Sequence, residues 1–241
     1  MIGLGTIINT GAIAAAGVAG GTIGRFFTEE KQDSMCKACG ISTLFLGIGG
    51  AMEGLLTVEG SSVTSGRAMF VVLCLALGTV IGEFVGIEAA FERFGEWLKQ
   101  KSGNGGDKKF VEAFVNTSFT VCIGAMAILG SIEDGIGGDY TTLAVKSVLD
   151  FIIVMVMSSS MGKGCAFSAI PVFLLQGSVT LFARFLAPVM TAGAIANLSL
   201  VGSILIFCVG LNLVWGKTVR VANMLPAVLL AVLVDYLPLS L

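Results

Sequence analysis

Histidine is absent from all 241 residues. That absence removes His-ligated metal sites, Ser-His and Cys-His nucleophilic catalysis, and histidine proton switching together. Charge is scarce: Asp, Glu, Lys and Arg make up 12% of the chain, against about a quarter in a soluble domain. There is no glycine-rich phosphate loop of the G-x-G-x-x-G or G-x-x-x-x-G-K-[ST] kind in a strand-to-helix setting. A formal net charge of −2 gives no sign of a nucleic-acid partner. No nucleophile–base pair is visible, so an enzyme is not expected.

What is present is apolar surface. Apolar residues reach 55% and mean hydropathy is +0.94. Eight apolar stretches can be cut out at 3–24, 41–57, 69–91, 111–131, 143–161, 165–183, 191–214 and 222–239. A hydrocarbon core near 30 Å needs about 20 residues of helix, so most of these can cross, with 41–57 and 165–183 short. The runs do not alternate with the two-residue period of an outer-membrane barrel. The expected fold is an all-α, polytopic integral membrane bundle of about eight transmembrane helices, in contact with the lipid bilayer and forming a single membrane domain over 1–241.

Cutting the chain this way segregates its fourteen basic residues. Arg25, Lys31, Lys37, Arg93, Lys99, Lys101, Lys108, Lys109, Lys163, Lys217 and Arg220 fall on one face, and only Arg67, Lys146 and Arg184 on the other. Cytoplasmic loops carry the basic excess, which makes the first face cytoplasmic and puts both termini outside. No basic residue precedes the first stretch, so it reads as a retained helix rather than a secretory signal. The polar segment 92–109, with Ser102-Gly103-Asn104-Gly105-Gly106, reads as a cytoplasmic linker or a partner-binding loop.

Weak self-similarity suggests repeated helical hairpins. Ser168-Ala-Ile-Pro171 resembles Asn223-Met-Leu-Pro226, and Leu4-Gly-Thr-Ile-Ile8 resembles Leu77-Gly-Thr-Val-Ile81. The implied halves are 1–92 with 110–131, and 141–241. Small residues four apart, as at Gly17/Gly21, Gly20/Gly24, Gly78/Gly82 and Gly82/Gly86, suit close helix packing, within one protomer or across a homodimer. Of the six cysteines, Cys74, Cys122, Cys165 and Cys208 read as packing residues. Cys36-x-x-Cys39 has no second pair to complete a metal site and no thioredoxin-like context, so neither metal nor cofactor is expected.

An ionisable group at mid-bilayer costs about 2.5–3.5 kcal/mol on insertion scales and is a functional candidate for that reason. Glu83 in the third stretch and Asp150 in the fifth qualify. Lys146 lies four residues before Asp150, on the same helix face, while Glu53 and Glu88 read as interfacial carboxylates. Asn9, Asn116, Thr120, Ser159 and Gln176, with Ser158, Ser160 and Asn212, add oxygens able to hold sodium or a polar solute, or simply to bond helix to helix. Pro171, Pro226 and Gly177 would loosen their helices. Residues 131–140 place Glu133, Asp134 and Asp139 in a glycine-rich outer connection, either a solvated turn or a cation-attracting vestibule.

Gly5-Thr-Ile-Ile-Asn9, Gly130-Ser-Ile-Glu-Asp-Gly135, Lys146-Ser-Val-Leu-Asp150, Ser158-Ser-Ser-Met-Gly-Lys-Gly164, Gln176-Gly177 and Val221-Ala-Asn-Met-Leu-Pro226 occur in order along the chain. Together they resemble the bacterial inner-membrane family of the YqgA/YdfK type, a domain of unknown function numbered 554. The resemblance implies a bacterial cytoplasmic membrane and no particular activity. The residues themselves suggest a secondary transporter of a small polar or ionic solute, sodium- or proton-coupled, with Asn9, Glu83, Asn116, Thr120, Asp150, Ser159 and Gln176 at its site. The alternative is a structural or regulatory membrane protein that dimerises through its small-residue faces.

Overall fold

Long apolar runs without proline become helices because hydrocarbon leaves backbone N–H and C=O groups no other partners. The computed structural model describes residues 1–59, 62–123 and 125–236. Its first part comprises α1 (Leu4–Ile23), α2 (Glu29–Leu55), a two-stranded hairpin of β1 (Leu56–Glu59) and β2 (Ser62–Ser65), α3 (Ala68–Val85) and α4 (Ile87–Lys101). There follow α5 (Phe110–Cys122), α6 (Ala125–Gly137), α7 (Thr141–Met161), α8 (Ala169–Leu181), α9 (Ala183–Leu186), α10 (Ala192–Trp215), α11 (Val221–Met224) and α12 (Pro226–Val234). Short 3₁₀ turns at Gly24–Phe26 and Lys163–Ser168 close α1 and open α8.

Among the described residues, six helices are long and apolar enough to cross a membrane; α5 with α6, bent by 62°, would make a seventh, and Val221–Val234 is a shorter apolar helix. This agrees with the expectation of about eight. Several boundaries move. Residues 41–55 of the short stretch 41–57 belong to a 27-residue helix that starts at Glu29, and its last two residues open β1. The third stretch ends at Val85 rather than 91, because Gly86 takes a left-handed conformation (φ 70°) that a side chain would resist, and the chain turns into α4. The connection expected at 131–140 is helical as far as Gly137, since α6 continues through Glu133 and Asp134. Gly124 of the fourth stretch and residues 237–239 of the eighth lie outside the described residues.

The broadest packing contacts are α1 on α7 and α2 on α10. The α3–α12 and α6–α8 pairs extend them, and α1–α7, α2–α10 and α3–α12 each join a helix from the first half of the chain to one from the second. The halves therefore interleave. Gly5 lies against Leu143 and Gly24 against Ser159, so α1 and α7 run parallel. Gly40 meets Leu213 and Val214 while Gly54 meets Leu200, so α2 and α10 run antiparallel. These directions gather alternate helix ends at two opposite faces. Phe70, Phe110, Phe114, Leu143, Met157, Leu200 and Leu205 are fully buried between the helices. Since lipid is as apolar as they are, their close packing rather than water exclusion holds the bundle together. Gly17, Gly20, Gly24, Gly78 and Gly82 are spent on this packing inside one chain, against Ala166, Met155, Ser159, Ala227 and Asn223.

Candidate functional site

Helix α1 buries Thr6, Asn9, Ile13, Ala16, Gly17 and Gly20, a stripe at helical spacing. Gly17 and Gly20 let its backbone touch α7 and the turn before α8. This close parallel seam sets Asn9 opposite Asp150. Asn9 Nδ2 donates to Asp150 Oδ2 at 3.0 Å and to Gln176 Oε1, on α8, at 3.3 Å. Lys146 Nζ, one turn earlier on α7, lies 2.8 Å from Asp150 Oδ1. Thr6 and Thr180 hydroxyls meet at 3.3 Å beside them. Asn9 is 0%, Gln176 1%, Asp150 3% and Lys146 8% exposed, so the charges lie in a low-dielectric interior where an unpaired one would be untenable.

The network is not closed. Asn9 Oδ1, Gln176 Nε2 and the Thr10 hydroxyl are buried and have no hydrogen-bond partner among the described residues. Buried polar atoms in native proteins are nearly always partnered by protein or water. An orphan acceptor and an orphan donor flank one ion pair, which suits a polar guest carrying both donor and acceptor groups.

The other expected site residues fall elsewhere. Asn116 is buried on α5 and is not joined to the network by any side-chain hydrogen bond among the described residues, and Thr120 donates to the Asn116 carbonyl at 2.8 Å, one turn back on its own helix. Ser159 donates to the Val156 carbonyl at 2.7 Å. It lines a cleft of about 380 Å³ with Gln32, Asn104, Asp107, Ser158 and Lys163. Nine residues along α7, that cleft is about 13 Å from Asp150.

Glu83 lies two residues before the end of α3, apart from the network. Its carboxylate is 43% exposed and pairs with Arg220 at 3.0 Å, at the end of α3. Nearby Glu88, expected as a simple interfacial carboxylate, is buried: it accepts from Ala222 N at 3.1 Å and pairs with Lys217 at 2.9 Å, while its own N–H donates to Asn223 Oδ1 at 2.8 Å. Each helix start thus lends an oxygen to the other. Burial disfavours the Lys217 ammonium, but Glu92 and Glu88 outweigh it and raise its pKa above the ordinary lysine value.

The acidic trio does not form an open vestibule. Asp134 is fully buried and accepts from Gly3 N at 3.1 Å and Gly5 N at 3.0 Å, anchoring the start of α1 on α6. Glu133 accepts from the Thr142 hydroxyl at 2.6 Å. Only Asp139 is solvated, and the Thr141 hydroxyl and amide hold its carboxyl below the usual carboxylate range. Asp134→Ala should cost about 1–3 kcal/mol, the penalty of two buried amide donors left without acceptors, read as a lowered midpoint in thermal unfolding.

Lys146 is the network residue whose sequence position says least, because its place at the edge of an apolar stretch makes it look like a loop cation. Its spacing from Asp150 is the available signal. Among the described residues no group of three or more Cys, Asp or Glu side chains is arranged to hold a metal ion. Cys36 and Cys39 are free thiols, with Cys36 Sγ 3.7 Å from the Leu213 carbonyl.

The model of a protein family of unknown function, DUF554, matches residues 4–236. The chain belongs to the DUF554 family. Every residue of the Lys146–Asp150–Asn9–Gln176 network lies inside the DUF554 match. An uncharacterised membrane protein, YdfK of Bacillus subtilis, is 30% identical over 226 residues, covering 94% of this chain and 93% of its own. An uncharacterised protein, YqgA of Escherichia coli, is 28% identical over 232 residues, covering 95% and 94%. No solved structure matches the chain. Its several apolar helices and its likeness to a membrane protein make this a membrane protein, and DUF554 membership brings no activity with it.

Proposed function

We propose that this protein is a secondary transporter of a small polar or ionic solute, coupled to protons or sodium, and not an enzyme. It would sit in a bacterial cytoplasmic membrane, crossing it about eight times with both termini outside. The observation that carries the reading is the buried Lys146–Asp150–Asn9–Gln176 network with its unpartnered Asn9 Oδ1 and Gln176 Nε2. Asn9 comes from the first half of the chain and the other three from the second. Transporter sites lie at such junctions between halves, beside interrupted helices; here α8 follows a 3₁₀ turn and α12 a break at Leu225.

Orientation draws on the basic residues. With Lys146 buried against Asp150, only Arg67 and Arg184 remain as basic groups of the outer face, which strengthens the asymmetry. In mechanism, a proton or sodium ion that neutralises Asp150 loosens its hold on Lys146 and on the Asn9 amide. Both donors then become available to the solute, and its binding and that of the ion become linked.

A ligand and ion stabilisation screen on purified protein tests this. A solute at a hundred times its Kd should stabilise the fold by about 2.7 kcal/mol. Asp150→Asn should abolish that shift while inserting normally, and Glu83→Gln should keep it. If no solute or ion stabilises the wild type, or if Asp150→Asn responds as the wild type does, the ion pair is only a structural link between helices.

A further inference from the structure

The two tryptophans stand at one end of the bundle and the two tyrosines at the other. Trp97 is 52% exposed on α4, and Trp215, at the end of α10, is 64% exposed. Lys217, two residues after Trp215, reaches Glu88 and Glu92 on α4 and ties these ends together. Tyr140, at the start of α7, and Tyr236, after α12, are 43% and 49% exposed. Exposed aromatics of this kind collect at the two headgroup levels of a bilayer. The tryptophan end therefore marks one leaflet surface, and α4 carries one of the two tryptophans that mark it.

Helix α4 is amphipathic in an unusual sense, because its apolar face is already used. Phe91 stands with its ring 4.9 Å from Phe119 and 6.0 Å from Phe114, and Phe94 is 5.9 Å from Phe114, so this face is covered by α5. Left facing outward are Arg93, Trp97 and Lys101, four residues apart on one stripe, with Lys108 exposed just beyond. Neighbouring cations are neutralised inside the chain: Lys99 by Glu96 at 3.8 Å and Lys217 by Glu88 and Glu92. Among the described residues Arg93, Lys101 and Lys108 form no salt bridge. Arg93 Nε donates to the Ala89 carbonyl at 3.1 Å.

We infer that the Arg93–Trp97–Lys101 stripe, with Lys108, is a binding surface for the headgroups of anionic phospholipids. The three cations are the complement of phosphodiester oxygens carrying net negative charge, and basic clusters beside a membrane span attract such lipids. Trp97 between them supplies the amphipathic ring that settles at the glycerol level. The surface is separate from the Asp150 network and does not depend on transport.

The test uses the full chain with Trp215→Phe, which leaves Trp97 as sole tryptophan, in nanodiscs containing brominated phosphatidylglycerol or brominated phosphatidylcholine at equal mole fraction. The anionic lipid should quench Trp97 more strongly. Neutralising one basic residue, Lys101→Gln or Lys108→Gln, should reduce that preference by up to about fivefold. The triple variant R93Q/K101Q/K108Q should remove it. Lys108 lies in a loop, so its single variant reports even if changes on α4 disturb the helix. Excess soluble glycerol phosphate should leave the quenching unchanged. Equal quenching by the two lipids would overturn the inference, and so would competition by glycerol phosphate, which would mark a site for free phosphate.

Discussion

Lys146→Met should destabilise the protein by about 3–5 kcal/mol, because it leaves the Asp150 carboxylate buried without its counter-charge. Asp150→Asn should cost less. The lysine it orphans lies only five residues into α7 and has a long stem, so its ammonium can reach back toward the headgroups. Asp150 has no such escape on its short side chain. The double variant Asp150→Asn, Lys146→Met removes both charges and keeps the Asn9 bonding position filled, so it should be nearly as stable as the wild type. Unfolding in detergent, followed by loss of helical signal, would give the four corners of this cycle. Additive losses in the double variant would mean that the two side chains do not act as a pair. The double variant should also fail to respond to any solute that stabilises the wild type, separating the role of the pair in binding from its role in holding the helices.

A second large effect belongs to the seam that brings the pair to Asn9. In Gly20→Ala the added methyl would overlap the carbonyl of Met155, a backbone atom that cannot swing aside. The α1–α7 contact would have to open, at a cost of about 3 kcal/mol. Gly11→Ala is the control, since a methyl there meets nothing within 4 Å and should leave the protein as stable or up to about 1 kcal/mol more stable through helix propensity. Equal melting temperatures for the two variants would show that α1 and α7 are not in close contact. Because Asn9 lies on this same face of α1, Gly20→Ala should also weaken solute stabilisation without touching a polar group.

How much is legible in the chain differs by kind of residue. Asp150 and its partner Lys146 can be read together because they lie one helical turn apart, and Asn9 and Gln176 because polar side chains are costly in an apolar run. Glu83 shows the limit of that reasoning. It lies well inside its apolar stretch, as Asp150 does, yet α3 stops at Val85, just before the left-handed Gly86, and Arg220 reaches the carboxylate from the far end of the chain. The acidic segment 131–140 misleads for a related reason: glycines that look like a turn lie within α6, where Gly135 gives room for Thr180 and Ala183 on the neighbouring helices.

By itself the sequence determined that this is a helical membrane protein, roughly where its spans lie, and which side chains are expensive to bury. Those properties add up along the chain, so local composition is enough to reveal them. Tertiary structure decided which of the costly groups meet. Asn9 and Asp150 are 141 residues apart, and Asn9 and Gln176 are 167 apart. Their meeting depends on α1 pairing in parallel with α7, where glycines allow backbones to touch. Such pairing is a property of two complementary helix surfaces, and no single stretch of sequence contains it.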